Sequence, residues 1–506
     1  MSATRDQLSA GDGYQLGVSR PPLDIADLPT PEEVFGVQTI GAKEVVRYAV
    51  GPSLIALGIS IGSGEWLLGP LGVGQYGFVG IGWVITLSII LQTIYNIEHS
   101  RYVVATGEVP VLGFGRTPPG YLFWVPLSIF ILFFAFIWGG GAASAGNGLF
   151  TLFTGRVVET AGDTAISQWL ATLLLVLVFV IAALSRIVTR GLELANWAMV
   201  GFILLTLIIL DIAIVPASIW WEGLRGLFTP ARPPSGITAT DLGGLAGFAA
   251  LASGLNWYVM NHYRDKGYGM GSRVGYLAGL RGERTEVLAS GLTFPDDDRN
   301  TGLWKRWYRL LLIDMWGVFF VGAFLGMLLP TILMTHAVRL SGTTPTEETV
   351  PVFVATVLRD EYGGPLFFVA ILVGTLILFS TQLGIFEALV RNFTDGLNGI
   401  SPGFRRMVEG DPRRFYFGFM GLLIVVIAIV IRLSLPVRLI QVSANMSNLG
   451  ALIYPFVLIY LNSKLPRAAR PSWWQYVVLL IAVVFFGFFF INFVVEFFTG
   501  SPLVAF

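Results

Sequence analysis

Cysteine is absent from the 506 residues, which excludes disulfides, thiolate metal sites and thiol nucleophiles together and leaves the redox compartment open. Charge is scarce too: Asp, Glu, Lys and Arg make up 13% of the chain, too little to coat a soluble domain. The 32 basic and 32 acidic residues balance, so no global field attracts nucleic acid. There is no metalloprotease pattern, phosphate-cradling loop or intramembrane aspartate pair, and no enzymatic activity or cofactor is expected. The first stretch, residues 1–45, is polar and contains Arg20-Pro21-Pro22 and Pro29-Thr30-Pro31. Lacking the apolar core of a cleavable signal, it reads as a cytoplasmic tail.

What is abundant is apolar. Hydrophobic residues reach 54% and the mean hydropathy is +0.72, so the chain's solvent is lipid. A helix needs about 20 mostly apolar residues to cross a bilayer. Counting such segments gives about eleven, centred near Gly58, Leu91, Phe133, Val176, Leu205, Ser253, Gly322, Leu376, Val426, Gly450 and Phe486. If the N-terminus is cytoplasmic, alternate loops divide Lys and Arg 25 to 7 in favour of that side. The excess supports both the helix count and an inner-membrane orientation with the C-terminus outside.

Two of the eleven are interrupted. The first runs through Ser60-Ile61-Gly62-Ser63-Gly64-Glu65 and the sixth through Ala252-Ser253-Gly254-Leu255-Asn256. Small and polar residues at mid-membrane depth are poor helix formers, so the backbone there is expected to unwind. The breaks read alike, Ser63-Gly64-Glu65-Trp66 beside Ser253-Gly254-Leu255-Asn256-Trp257, and stand five helices apart. An odd number of helices per half makes the second insert upside down relative to the first. The expected fold is therefore an all-α membrane protein built as a 5+5 inverted repeat: helices 1–5 in 46–221, helices 6–10 in 222–462, and an added helix 11 in 463–506. Close packing by small residues is the plainer explanation of the glycines, but it requires neither the Glu, the Asn nor the paired Trp.

From Gly51-Pro52 through Gly62-Ser63-Gly64-Glu65-Trp66 to Gly74-Gln75-Tyr76-Gly77, then Arg101 and Ala105-Thr106-Gly107, the chain resembles the Nramp (natural resistance-associated macrophage protein) family of metal transporters. The resemblance implies a LeuT-like inverted repeat with helices 1 and 6 broken. It also exposes departures. The family's helix 1 motif, Asp-Pro-Gly-Asn, is occupied here by Gly62, Ser63, Gly64 and Glu65. Its Met-Pro-His in helix 6 falls on Ser253, Gly254 and Leu255, which removes the soft sulfur ligand. Helix 3, acidic in the family, has no ionisable side chain from Leu127 to Gly141. The pattern is that of an Nramp-related protein rebuilt for another substrate.

Glu65 is the only acid inside helix 1, and a buried carboxylate costs several kcal/mol unless compensated. It can serve as a cation ligand, a proton carrier or an acceptor for hydroxyls, or merely cap freed amides. Asn256 holds the matching place in helix 6. Gln441, Asn445 and Asn448 recur at i, i+4 and i+7 and share one face of helix 10, either lining the site or bonding between helices. Gln441 matches a glutamine of the family's site, and Gln382 in helix 8 another. Trp66 and Trp257 flank the breaks, as rings lining a site for a hydroxylated solute would, or as core packing. His262 is either a proton relay or an interfacial histidine, and Glu98 and Arg101 form a gate-side charge cluster with His99. Gly62, Ser63 and Ser253 supply backbone and hydroxyl groups. The expectation is a monomeric secondary transporter of a neutral polar, sugar-like solute, facilitative or proton-coupled. A divalent metal transporter with Glu65 as ligand is the alternative, and a channel or substrate-sensing receptor a third.

Overall fold

The computed structural model describes residues 23–31, 41, 48, 51–184, 188–251, 253–274, 290–408 and 412–506. Most of the expected tail, residues 1–45, lies outside the described residues, as does Ala252 in the sixth helix. Among the described residues the chain is helical throughout apart from one isolated bridge, Thr238 to Ala505. Helices satisfy every backbone group within one segment, which lipid demands.

In chain order, α1 is split into α1a (Gly51–Ser60) and α1b (Gly69–Tyr76). Then come α2 (Gly82–Thr106), α3a (Tyr121–Phe136) with α3b (Gly140–Thr154), α4 (Ala161–Leu184) and α5 (Val188–Ile214). Helix α6 is split into α6a (Ala239–Gly247) and α6b (Asn256–Asp265). The remaining long helices are α7 (Asp298–Ser341), α8 (Gly364–Ile400), α9 (Arg413–Val430), α10 (Pro436–Ser463) and α11 (Trp473–Thr499), with shorter helices such as Ala217–Phe228 and Phe353–Tyr362 in the connections. Eight helices, α3 to α5 and α7 to α11, are long and apolar enough to cross a membrane, and the chain is a multi-pass membrane protein.

The other three, α1, α2 and α6, are the innermost. Helix α2 buries Gln92, Asn96, Glu98, His99 and Arg101 and so presents polar groups to protein, not lipid. On the outside, Trp169, Leu173 and Leu177 of α4, Leu205 and Ile209 of α5, and Val484 and Ile491 of α11 are exposed, as lipid-facing helices require. Helix 3, read above as uninterrupted, has a third break. Gly139 stands at φ 65° between α3a and α3b, and a Cβ there would lie 2.5 Å from the Ile427 side chain.

At the chain's far end, Phe506 accepts from Gly236 N at 2.9 Å and donates to Ile237 O at 3.1 Å, while Val504 accepts from Ala239 N at 3.0 Å. These bonds fasten the C-terminal residues to the approach to α6a.

Candidate substrate site at the two breaks

Ile61 and Gly62 leave the regular helix, and past Ser63 the chain continues as a π-helical turn over Gly64–Leu68. Such turns re-phase the side chains that follow. Glu65 folds back over the gap, and its Oε2 accepts from Gly62 N at 3.0 Å. That is the capping role weighed above, and it uses one oxygen only. Oε1 is buried without a hydrogen-bond partner.

The second break, Phe248–Leu251 and Ser253–Leu255 among the described residues, meets the first backbone to backbone. A Cβ on Gly64 would stand 2.8 Å from the carbonyl carbon of Phe248, with the carbonyl oxygen nearer still. Gly62 is equally confined, against the Thr381 hydroxyl of α8. Only glycine lets the strands of the two breaks lie this close. Between them is a cavity of about 10 Å³ lined by Ser60, Ser63, Glu65, Phe248, Leu255 and Thr381, together with Ile59, Gly64, Ala250 and Ile385. That volume suits one water-sized occupant. Ser60 Oγ is buried and unpartnered beside it.

The other expected residues are distributed around this centre. Trp66 turns away from the cavity: its Nε1 donates to Pro351 O at 3.2 Å, and its ring packs so closely that a Cβ on Gly374 would lie 2.6 Å from it. Asn256 Oδ1 accepts from Gly254 N at 2.9 Å and thereby caps the second break. Ser253 Oγ pairs with Tyr95 OH at 2.9 Å. Trp257 Nε1 donates to His99 Nε2 at 3.3 Å. An indole N–H is only a donor, so Nε2 accepts, while Nδ1 lies 3.1 Å from both Tyr95 O and Asn256 Nδ2.

In α10, Asn445 Nδ2 donates to Thr240 O at 3.2 Å and to Gln441 O at 3.0 Å, and Asn448 Nδ2 donates to Gly243 O at 3.0 Å. Both asparagines therefore hold α6a, with their Oδ1 atoms buried and unpartnered. Gln441 is half-buried one turn before Asn445. Gln382 Oε1 accepts from Ala142 N at 3.2 Å, which places it at the start of α3b. None of these four side chains lines the cavity.

The charge clusters lie nearer one face. Arg101 donates to Glu98 at 2.9 and 3.2 Å, to Tyr308 OH at 2.7 Å and to Ala469 O at 2.9 Å. Glu98 also accepts from Gln475 Nε2 at 2.9 Å and Asn462 Nδ2 at 3.1 Å, so the pair locks α2 to α7, α10 and α11. His262 Nδ1 lies 2.7 Å from Tyr258 O in its own helix. Asp265 of α6b pairs with Arg391 of α8 at 2.7 Å, the strongest ionic tie between that half-helix and its surroundings.

What residue-by-residue reading missed is the stripe on α2 that holds the second break open. Ser88 Oγ donates to Ala246 O at 2.6 Å. Gln92 donates to the same carbonyl at 3.0 Å and accepts from Leu251 N at 2.8 Å. With Tyr95 and His99 this makes four polar residues at i, i+4, i+7 and i+11, all on one helix face. Ser88 and Gln92 supply hydrogen bonds that the unwound backbone gave up, while Tyr95 and His99 meet the side chains of Ser253, Asn256 and Trp257.

No protein-family model matches the chain, and no curated protein sequence matches it either. Solved structures do. A manganese transporter from Eremococcus coleocola, crystallised with an aromatic bis-isothiourea substituted compound, is 14% identical, with 94% of this chain and 93% of that one covered at a TM-score of 0.59. A mutant form of that transporter, also 14% identical, covers 95% and 93% at 0.57. At that identity the likeness speaks for architecture, and it agrees with the fold implied by the helix 1 and 2 motifs: the chain has a diverged, Nramp-type LeuT-like fold with helices 1 and 6 broken.

Proposed function

We propose that the chain is a secondary transporter working by alternating access, in which α1 and α6 rock against the surrounding helices and expose Glu65 to each side in turn. The observation that carries this reading is the Oε1 atom of Glu65, buried and partnerless, beside a cavity lined by both breaks. A carboxylate oxygen kept in that condition at mid-membrane depth is expensive unless something arrives to meet it.

The geometry favours a small cation, of the hard divalent type, as the arriving species. About 10 Å³ fits an ion or a water, and Glu65 with the Ser60 hydroxyl offers an all-oxygen first contact that a hard cation accepts, with waters completing its shell. Among the described residues no three acidic or histidine side chains converge, so those waters are needed. A neutral hydroxylated solute is the second reading. It is supported by the Tyr95, Ser253, His99, Asn256 and Trp257 network directly below the break, and it requires the breaks to separate.

Uptake of Mg²⁺, Mn²⁺ and glucose into proteoliposomes, with Glu65→Gln alongside, tests the proposal. Saturable ion uptake lost in Glu65→Gln is expected. Glucose uptake without ion uptake moves the assignment to the second reading, and flux that never saturates makes the protein a channel. The same assay with and without a pH gradient reads proton coupling through Glu65 or His262.

A further inference from the structure

A roomier cavity belongs to neither break. It measures about 550 Å³, within the range of small-molecule sites, and opens at the face carrying the α3–α4, α7–α8 and α9–α10 connections. One wall is the face of α3b that repeats Ala143, Asn147 and Thr151 at i, i+4 and i+8. Opposite stand Ser167 and Gln168 of α4, with Pro351 and Leu435 from the loops.

Its chemistry is one-sided. The lining holds two carboxylates, Glu159 and Glu348, with no Lys, Arg or aromatic residue, and both acids are exposed at the rim. The nearest guanidiniums have other first partners, Arg156 with Asp163 at 2.5 Å and Arg438 with Glu347 at 2.9 Å, though each also lies within electrostatic reach of a rim acid, Glu159 and Glu348 respectively; Arg432 stands over the Trp169 ring. An anion finds no partner here, and a planar ring finds no stacking face. At the buried end, Thr151 is fully shielded and its Oγ1 has no hydrogen-bond partner. An unmet hydroxyl inside a roomy cavity marks a place for a ligand's polar group.

We infer that this cavity is a second ligand site, taking a small aliphatic amine whose ammonium meets Glu159 and Glu348 at the rim while a second polar group reaches Thr151. A bare ion would engage only the rim and leave the deep end unexplained. The site also touches the first break indirectly, because Pro351 both lines it and accepts from Trp66 Nε1.

Calorimetry on the full chain in nanodiscs tests the inference with 1,4-diaminobutane as probe, 1,4-butanediol as its uncharged counterpart, and Mg²⁺ as the competing cation. Saturable diamine binding is expected, with little or none for the diol. Glu159→Gln with Glu348→Gln should raise Kd about tenfold, as two exposed pairs allow, and Thr151→Val about threefold, as one hydrogen bond allows. Both acids are exposed at the rim, so the double variant should fold. Diamine binding should survive Glu65→Gln, which separates failure here from failure of the transport proposal. Diol binding as tight as the diamine's, diamine binding unchanged in the double variant, or, in the Glu65→Gln background, heat from Mg²⁺ with none from the diamine would overturn it.

Discussion

A methyl group on Gly64 is the sharpest probe of the contact between the breaks. The added Cβ would start 2.8 Å from the Phe248 carbonyl carbon, against the 3.4 Å or more of an ordinary contact. Both sides are backbone, so neither can swing aside, and α1 must part from α6. Overpacking of this kind costs about 1–3 kcal/mol, which shifts the balance away from the closed arrangement by about 5- to 150-fold. The natural absence of cysteine makes that shift easy to read, since Ser63→Cys would be the only thiol in the chain. Ser63 is 2% exposed, so maleimide labelling should be slow in the parent and accelerate by that factor when Gly64→Ala is added. Gly201→Ala, where a Cβ meets nothing within 4 Å, is the control. A folded Gly64→Ala protein that labels at the parent rate would refute the idea that the two breaks hold each other shut.

Three further outcomes follow from contacts already described. Gln92→Leu strands Leu251 N and removes one donor from Ala246 O, and at about 1–3 kcal/mol per unmet buried group it should lower the thermal midpoint clearly; Ser88→Ala should cost less, because Gln92 still reaches Ala246 O. Between α2 and α3a, burial pushes the Glu108 carboxyl up, but Arg116, bonded to it at 2.7 and 2.8 Å, overrides this and holds it below the usual carboxylate range. Its contribution to stability is therefore complete above the unfolded value of about 4.3 and is lost as pH falls through the depressed folded value, so acid unfolding should begin earlier in Glu108→Gln only above that window and converge with the parent below it. Arg101→Lys cannot reproduce the fork to Glu98 with its contacts to Tyr308 and Ala469, and proteolysis around residues 465–472 should quicken as α11 loosens.

The interruptions of helices 1 and 6 were legible because Ser60–Glu65 and Ser253–Asn256 set small and polar residues where lipid tolerates neither. The break in helix 3 was not, since its cause is a single left-handed Gly139 behind the apolar run of α3a. The shared face of Asn445 and Asn448 could be read from spacing alone, whereas the carbonyls of α6a that it grips could not, because they are 205 positions distant in sequence. Trp66 illustrates a different limit. Its place beside the break allowed either a site-lining ring or core packing, and only the structure shows it packed against Gly374 and Pro351. The α2 stripe had the right spacing throughout, but its meaning depends on a partner that has lost its own helix.

The fastening of Val504 and Phe506 to residues 236–239 makes the residues beyond α11 a handle on α6a. If α6a tilts during a transport cycle, the C-terminal residues must travel with it or let go, so a fluorophore placed just beyond Phe506 would report the motion without a single substitution in the membrane. By the same logic a bulky fusion at that end would add drag to one half-helix, and turnover should be compared with an N-terminal tag before any rate is taken as native.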